Sequence, residues 1–489
     1  MKKNLLIVVF SLLAFCGNAQ TNEQILIGKK ETIYSKILQE NRKVWMSAPG
    51  NTSTFSDPQK IIPVLYVLDG DAHFYSTVGI VQQLSQANGN GILPEMLVVG
   101  IENSNRLRDL SPSADPANRN PFLDFISTEL MPYVERNYKA APYKILIGHS
   151  LGGLTAIDIL CHYPDMFNAY IAIDPSMWYN QEKHLKSAMA KLPGLKLNGK
   201  GLYMATANTM PVGMTLAKLK TDRSEETRHI RSILAFDKFL KGHTNGMHYA
   251  QKFYEQETHN SLPMLATYDG LRHIFHYYPF KASEKDFADS TALIATRLKA
   301  HYTRISRELG YANAAPEFFV QYLGQDALSK KHLKKAGALF LLNVESYPNS
   351  SSVYSDYADY FLATGDTSQA LAQYKKSLQL KPDASTQRKL DALNRKNNVI
   401  LNTEQLQKYA GNYLLEAFNL MMQLTIRDGK LWAIVPGQAD SELVPLSEHV
   451  FTVRGKESYE ISFEMKGDEP VKFTSVQPNG TFVALYRGK

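Results

Sequence analysis

The chain has 489 residues, 44% of them apolar and 21% charged, with a formal net charge of +7. That length predicts about two to four domains, and the apolar share is enough for large cores, which excludes a disordered chain. The charge is mild and no basic stripe interleaved with aromatics appears, which excludes a nucleic-acid binder.

Lys2 and Lys3 precede the apolar stretch from Leu5 to Phe15, which ends in Cys16-Gly17-Asn18-Ala19-Gln20. A basic start, an apolar run short of a membrane span and small residues at its end predict a cleaved signal peptide over residues 1–19, cut after Ala19. The expected location is therefore periplasmic or secreted. Lipid anchoring through Cys16 is the less favoured reading, because bulky Phe15 precedes it. Only Cys161 would remain in the mature protein, so no intrachain disulfide is expected. No second long apolar run follows, so no membrane span is expected.

Residues 25–285 alternate extended apolar runs with helix-like stretches, the pattern of an α/β fold with a largely parallel sheet. The predicted strands are Thr32–Leu38, Val44–Ser47, Val64–Leu68, Met96–Ile101, Lys144–Ile147, Ala169–Ile173, Leu202–Ala207 and Lys252–Tyr254. After the fifth comes Gly148-His149-Ser150-Leu151-Gly152, a G-x-S-x-G pentapeptide between a strand and the helical pattern that starts at Gly153. A serine on so sharp a turn needs small neighbours two positions away on each side, and Gly148 and Gly152 supply them. Eight strands with a serine elbow after the fifth predict the α/β-hydrolase fold.

A helical unit is expected over 316–396. Ala336, Phe340 and Pro348 recur 34 residues further on as Ala370, Tyr374 and Pro382, spacings that resemble tetratricopeptide (TPR-like) repeats. Residues 403–489 change to a period of two, with turns at Asp428-Gly429, Lys466-Gly467-Asp468 and Pro478-Asn479-Gly480. They predict a small antiparallel β module, a barrel or a sandwich. The module loosely resembles lipocalin-like domains that follow hydrolase domains in some secreted bacterial enzymes.

A serine hydroxyl needs a base to take its proton, and the base needs an orienting carboxylate. The base belongs on a loop after the last strand, where His259 opens the turn His259-Asn260-Ser261. His149 is read as pointing away from the serine, and His162, His273 and His276 as structural or surface residues. The acid is expected after the seventh strand, where Asn208-Thr209-Met210 offers none and Asp222, Glu225 and Glu226 are the next carboxylates. Asp222 is taken as the acid, with Glu257 as the alternative. The expected oxyanion donors are the backbone N–H of Leu151 and, from the loop Val67-Leu68-Asp69-Gly70-Asp71, that of Asp71. Trp178 and Tyr179 are read equally as pocket-lining and as plain core or rim aromatics. No P-loop or dinucleotide fingerprint occurs, and His243 with His248, like His273 with His276, lacks the context of a zinc site. Neither a cofactor nor a metal is expected.

Tyr66-Val67-Leu68-Asp69-Gly70-Asp71, Gly148-His149-Ser150-Leu151-Gly152-Gly153, Ala172-Ile173-Asp174-Pro175-Ser176-Met177-Trp178 and Glu257-Thr258-His259-Asn260-Ser261 together resemble the esterase D-type putative esterase family. That family includes enterobactin and salmochelin esterases, feruloyl and acetyl-xylan esterases and mycolyl transferases. The resemblance, over roughly residues 25–280, implies Ser150 as nucleophile, His259 as base, and Leu151 and Asp71 as oxyanion donors. Two positions depart from the pattern: Asp174 stands where serine is usual, and Asn260 where glycine is usual. The expected function is a serine esterase with an acyl-enzyme on Ser150, acting on a siderophore or decorated-polysaccharide ester, with the repeats docking a protein partner or shielding the active-site face. The rival readings are a non-catalytic scaffold using the repeats and the β module, and an acyltransferase using the same residues.

Overall fold

Each of the eight predicted extended runs falls on a strand of a single sheet. The strands are β1 (Lys29–Ser35), β2 (Glu40–Ser47), β3 (Ile62–Val67), β4 (Leu97–Ile101), β5 (Ala140–His149), β6 (Ala169–Ile173), β7 (Gly201–Ala207) and β8 (His248–Tyr254). In this computed structural model, which describes residues 25–49, 61–85, 91–113, 118–394 and 400–489, they are ordered β1-β2-β4-β3-β5-β6-β7-β8. The first two pairings, β1 with β2 and β2 with β4, are antiparallel and the rest are parallel. The signal-peptide reading of residues 1–19, Cys16 included, lies outside the described residues.

Parallel strands joined by helical crossovers are covered on both faces, so their sequences run apolar without alternation. Ile-Pro-Val-Leu-Tyr-Val of β3, Leu-Val-Val-Gly-Ile of β4 and Ala-Tyr-Ile-Ala-Ile of β6 are buried at every position. Helices Gly70–Ser85 and Leu262–Ile274 pack on each other, while Leu151–His162, Lys183–Lys191 and Arg228–Lys241 form a second contiguous group. Each fully buried Val, Leu or Ile in this core contributes about 1.5–3 kcal/mol. Cys161, near the end of the Leu151–His162 helix, is 1% exposed, and burial pushes its thiol well above the usual range.

Boundaries shift where side chains intervene. β1 stops at Ser35, because Ser35 Oγ accepts the N–H of Leu38 while Glu129 accepts those of Lys36 and Ile37. These bonds, with Gln39 at φ 53°, turn the chain three residues before the expected end. β5 starts at Ala140, ahead of its apolar run, because Ala140 pairs with Ile62.

Two compact units divide the chain, Met1–Pro279 and Phe280–Lys489. The second opens with helices Glu284–Ala288 and Leu293–Leu309, ahead of the helical start expected at 316. Ile294, Ala295 and Leu298 supply apolar surface for Val320, Leu323 and Leu339. Helices Glu317–Ser329, Leu333–Ser346, Ser351–Ala363, Thr367–Leu380 and Ala384–Asn394 follow. Ala336, Phe340, Ala370 and Tyr374 are all 0% exposed.

From Gly411 the chain makes eight antiparallel strands that close as a barrel. Asp428 and Gly429, at φ 51° and 72°, are the left-handed pair of a two-residue hairpin, and Arg427 faces Lys430 across it. Tyr413, Phe451, Phe463 and Phe473 fill the interior, so this is a packed barrel with no free strand edge.

Candidate active site

β5 delivers Ser150 to the carboxyl end of the sheet. Ser150 has φ 57° and ψ −115° and caps the Leu151–His162 helix, a conformation that costs a non-glycine residue about 1–3 kcal/mol. Its backbone is pinned by N–H donation to Ile173 O (2.9 Å) and by acceptance from Ser176 N (2.9 Å). The chain crosses itself closely at Gly148, where a Cβ would lie 2.0 Å from Gly152 O. At Gly152 a Cβ would meet nothing nearer than 3.4 Å. The steric demand expected at both glycines therefore falls on Gly148.

His259 stands on the loop after β8. That loop is tied to the end of β7 by Asn208 N–H to Glu257 O (2.8 Å) and braced by Ser261 Oγ donating to Glu257 Oε2 (2.6 Å). Glu257, the alternative acid, is thus engaged with Ser261. Asp222 is also not the partner of His259. Its Oδ1 accepts from Ser224 N and Oγ and from Thr227 Oγ1, the bonds that hold its carboxyl below the usual range on an exposed turn.

The carboxylate that His259 meets is Asp174, with Nδ1 to Oδ2 at 2.6 Å. Asp174 follows β6, adjacent to β5 in the sheet, and is 0% exposed. Its Oδ1 accepts Ala207 N–H at 2.9 Å, and its Oδ2 also accepts from His229 Nε2 at 2.8 Å. Burial pushes this carboxyl up, but the hydrogen bonds from His229 and then His259 outweigh it and hold the group well below the carboxylate range. The expectation placed the carboxylate partner of His259 one strand too far along. The visible signal was the departure itself: an aspartate where the family pattern has serine.

His149, which the sequence reading left out of the site, lies against His259, with ring centroids 4.5 Å apart and Nε2 2.9 Å from His259 O. Burial, then the neighbouring His259 and His73, lowers it to about 4. Ser176, 6% exposed, places Oγ 3.2 Å from Ser150 Oγ. Of the two aromatics read as pocket-lining or rim, Trp178 is 42% exposed, while Tyr179 bonds Ser111 Oγ (3.1 Å).

The expected oxyanion donors start two helices. Leu151 is the first residue of its helix and Asp71 the second of Gly70–Ser85, positions whose N–H has no acceptor within the helix. Gly70 is required there, because a Cβ would lie 2.5 Å from Gly100 C. Asp69, at φ 53°, is locked by Arg106 Nε (2.6 Å) and Asn103 Nδ2 (2.6 Å) on Oδ1. The short helix carrying Arg106 is anchored by the fully buried pair Arg42–Asp109 at 2.6 Å.

Asp174, His229 and His259 also form a set of potential metal-ligand atoms. Two nitrogens on a tetrahedral zinc at about 2.0–2.1 Å sit roughly 3.3 Å from a shared oxygen ligand. Here they lie 2.6 and 2.8 Å from Oδ2, the spacing of hydrogen bonds. These residues do not fit a metal as they stand.

A serine on a strained elbow, with a carboxylate-oriented histidine beyond the last strand of a mostly parallel sheet, defines the α/β-hydrolase class. Residues 35–226 match the model of the putative esterase family. The chain is 27% identical over 236 residues to the ferri-bacillibactin esterase BesA of Bacillus subtilis (strain 168), covering 43% of this chain and 77% of that protein. It is 28% identical over 167 residues to the uncharacterized protein YbbA of the same organism, covering 32% of this chain and 64% of YbbA, just under two thirds of its length. Among solved structures, an IroE-like serine hydrolase from Shewanella oneidensis superposes with a TM-score of 0.54 at 26% identity, over 65% of this chain and 99% of that one.

Proposed function

We propose that this protein hydrolyses carboxylic esters through an acyl-enzyme on Ser150. The observation that carries the reading is the bond from His259 Nδ1 to the buried carboxylate of Asp174. It fixes the tautomer in which Nε2 is the proton acceptor. His259 takes the Ser150 proton as Oγ attacks the ester carbonyl, and the developing oxyanion is held by the N–H groups of Leu151 and Asp71. Loss of one such donor typically costs about 3 kcal/mol of transition-state stabilisation. His259 then returns the proton to the leaving alcohol, and water, activated by the same imidazole, releases the acid.

A siderophore ester is the favoured substrate class, supported by the likeness to a ferri-bacillibactin esterase. A decorated-polysaccharide ester uses the same chemistry. The basic-apolar start of the chain supports export to the periplasm or medium. No described helix is long and apolar enough to cross a membrane. We read the helical hairpins, with buried Ala and aromatic positions recurring 34 residues apart, as tetratricopeptide-like and assign them contact with a protein partner. Tyr322, on the Glu317–Ser329 helix, is a large exposed aromatic of these hairpins, and a Tyr322→Glu chain that captured the same proteins as the parent would remove that assignment.

The test of the catalytic reading is release of p-nitrophenol from short-chain p-nitrophenyl esters, beside Ser150→Ala and His259→Ala. Folded variants at background, together with a phosphonate adduct on Ser150 of the parent, are expected. A parent that gives neither turnover nor adduct would end this reading.

A further inference from the structure

Asp174 holds two imidazoles, and the esterase mechanism uses one. His229 is the second residue of the Arg228–Lys241 helix. Its Nε2 lies 2.8 Å from the same Oδ2 that His259 Nδ1 meets at 2.6 Å, and the two rings stand edge to face with centroids 5.3 Å apart. We propose that His229 is a positioning residue, a neutral imidazole whose Nε2–H shares Oδ2 of Asp174 and holds that carboxylate in the pose that orients His259. The inference rests on the esterase reading of the same site.

Three features argue for it. A carboxylate with no exposure needs several donors to remain an anion. Asp174 has three: Ala207 N–H on Oδ1, and His259 and His229 on Oδ2. Without His229, Oδ2 keeps one donor, and the carboxyl is free to turn away from His259.

The tautomer is the second feature. Nδ1 of His229 is buried and has no hydrogen-bond partner among the described residues. A hydrogen there would be a buried N–H with no acceptor, whereas Nε2 meets the carboxylate, so Nε2 is the nitrogen that donates to Asp174. A neutral donor stabilises the carboxylate without opposing the imidazolium that forms on His259 during attack. A lysine or arginine at this place would oppose it.

Third, His229 is the strongest of the influences that lower the Asp174 carboxyl against its burial, ahead of His259 itself. Among the described residues, the titratable groups against this cluster are Asp174 after β6, His259 after β8, His149 at the end of β5 and, against His149, His73 on the Gly70–Ser85 helix. Arg228, next to His229 in sequence, pairs with Glu182 at 3.7 Å. Among these, His149 and His73 are lowered mainly by burial and so stay neutral near pH 7. Removing the His229 donor lets the Asp174 carboxyl rise, so activity on the acid side is lost at a higher pH than in the parent.

The experiment compares the full chain with His229→Gln, which keeps a neutral donor, and with three donor-less variants, His229→Phe, His229→Leu and His229→Met. The donor-less variant closest to the parent in melting temperature is the one assayed. It is expected to lose roughly tenfold to a hundredfold in kcat, the worth of one hydrogen bond to a charged group, with KM within about twofold. Its acid limb moves to higher pH, and His229→Gln recovers most of both. Parent-like kcat and acid limb in that variant overturn the proposal. Failure of all three to fold also overturns it, since the histidine would then serve the fold. Phosphonate labelling separates this from the parent reading: an unlabelled parent ends the esterase assignment, whereas a labelled, active parent with a parent-like donor-less variant ends only the role of His229.

Discussion

Asp174 gives the residue scale its clearest test, because the acid that sequence order favoured and the acid that His259 touches are different groups. Asp174→Asn replaces an acceptor of the His259 Nδ1–H by a group able to donate, which favours the wrong tautomer. A loss of kcat on the order of 10³–10⁴ is expected. Asp222→Asn, on an exposed turn, is expected to leave kcat within about twofold. Both are read on one p-nitrophenyl ester with the serine titrated by phosphonate. Neighbouring His149 sets a pH dependence of stability. Its folded value of about 4 lies below an unfolded value of about 6.5, so between these the unfolded chain binds the extra proton. Its contribution, on the order of 3 kcal/mol, is full above about pH 6.5 and is lost as pH falls toward 4. In His149→Phe the slope of melting temperature against pH should flatten over that window. An unchanged slope would remove His149 as its source.

The elbow is an element whose backbone carries the constraint. In Gly148→Ala the new Cβ lies 2.0 Å from Gly152 O, whereas in Gly152→Ala it lies at ordinary contact. Gly148→Ala should cost more than the roughly 1–3 kcal/mol of an overpacked core and abolish phosphonate labelling, while Gly152→Ala is expected to stay folded and labelled. Ser150→Gly relieves the positive φ at this position and should melt above the parent, with a gain of about 1 kcal/mol, in denaturant titration. Elements were the legible part of this chain. Buried parallel strands leave continuous apolar runs, and Gly-x-Ser-x-Gly between a strand and a helix announces its own geometry. What joins elements was less legible. Asp174 escaped because the loop after β7 is the customary place for the acid, and nothing local says that the neighbouring strand supplies it. His229 begins an ordinary amphipathic helix, and a lone histidine there has no sequence signature. The helices before residue 316 were missed because Leu293–Leu309 belongs to no repeat that would draw attention to it.

At the scale of the whole molecule, the shifts of His149 and Asp356 predict that the two units respond to acid in opposite directions. Asp356, 9% exposed, is pushed up to about 6, by burial first and then by the charge of Asp359. Its folded value lies above the unfolded value of about 3.9, so its cost of about 3 kcal/mol is fully present above pH 6 and fades as pH falls toward 4. The first unit, with His149, loses stability over much of the same range. Asp174 and Asp286, both lowered in the fold, act below that window. Calorimetry from pH 7 to 5 should therefore show one transition falling and another rising, and Asp356→Asn should raise the second at pH 7. Parallel movement of both transitions would contradict this. Cys161 offers a way to watch the first unit alone. Buried on the helix that Ser150 caps and held as a thiol, it is shielded from alkylating reagents while that helix stays packed. Its alkylation, located by peptide mapping, therefore clocks each opening of the first unit, so the protein carries its own stopwatch for the lifetime of the helix behind Ser150.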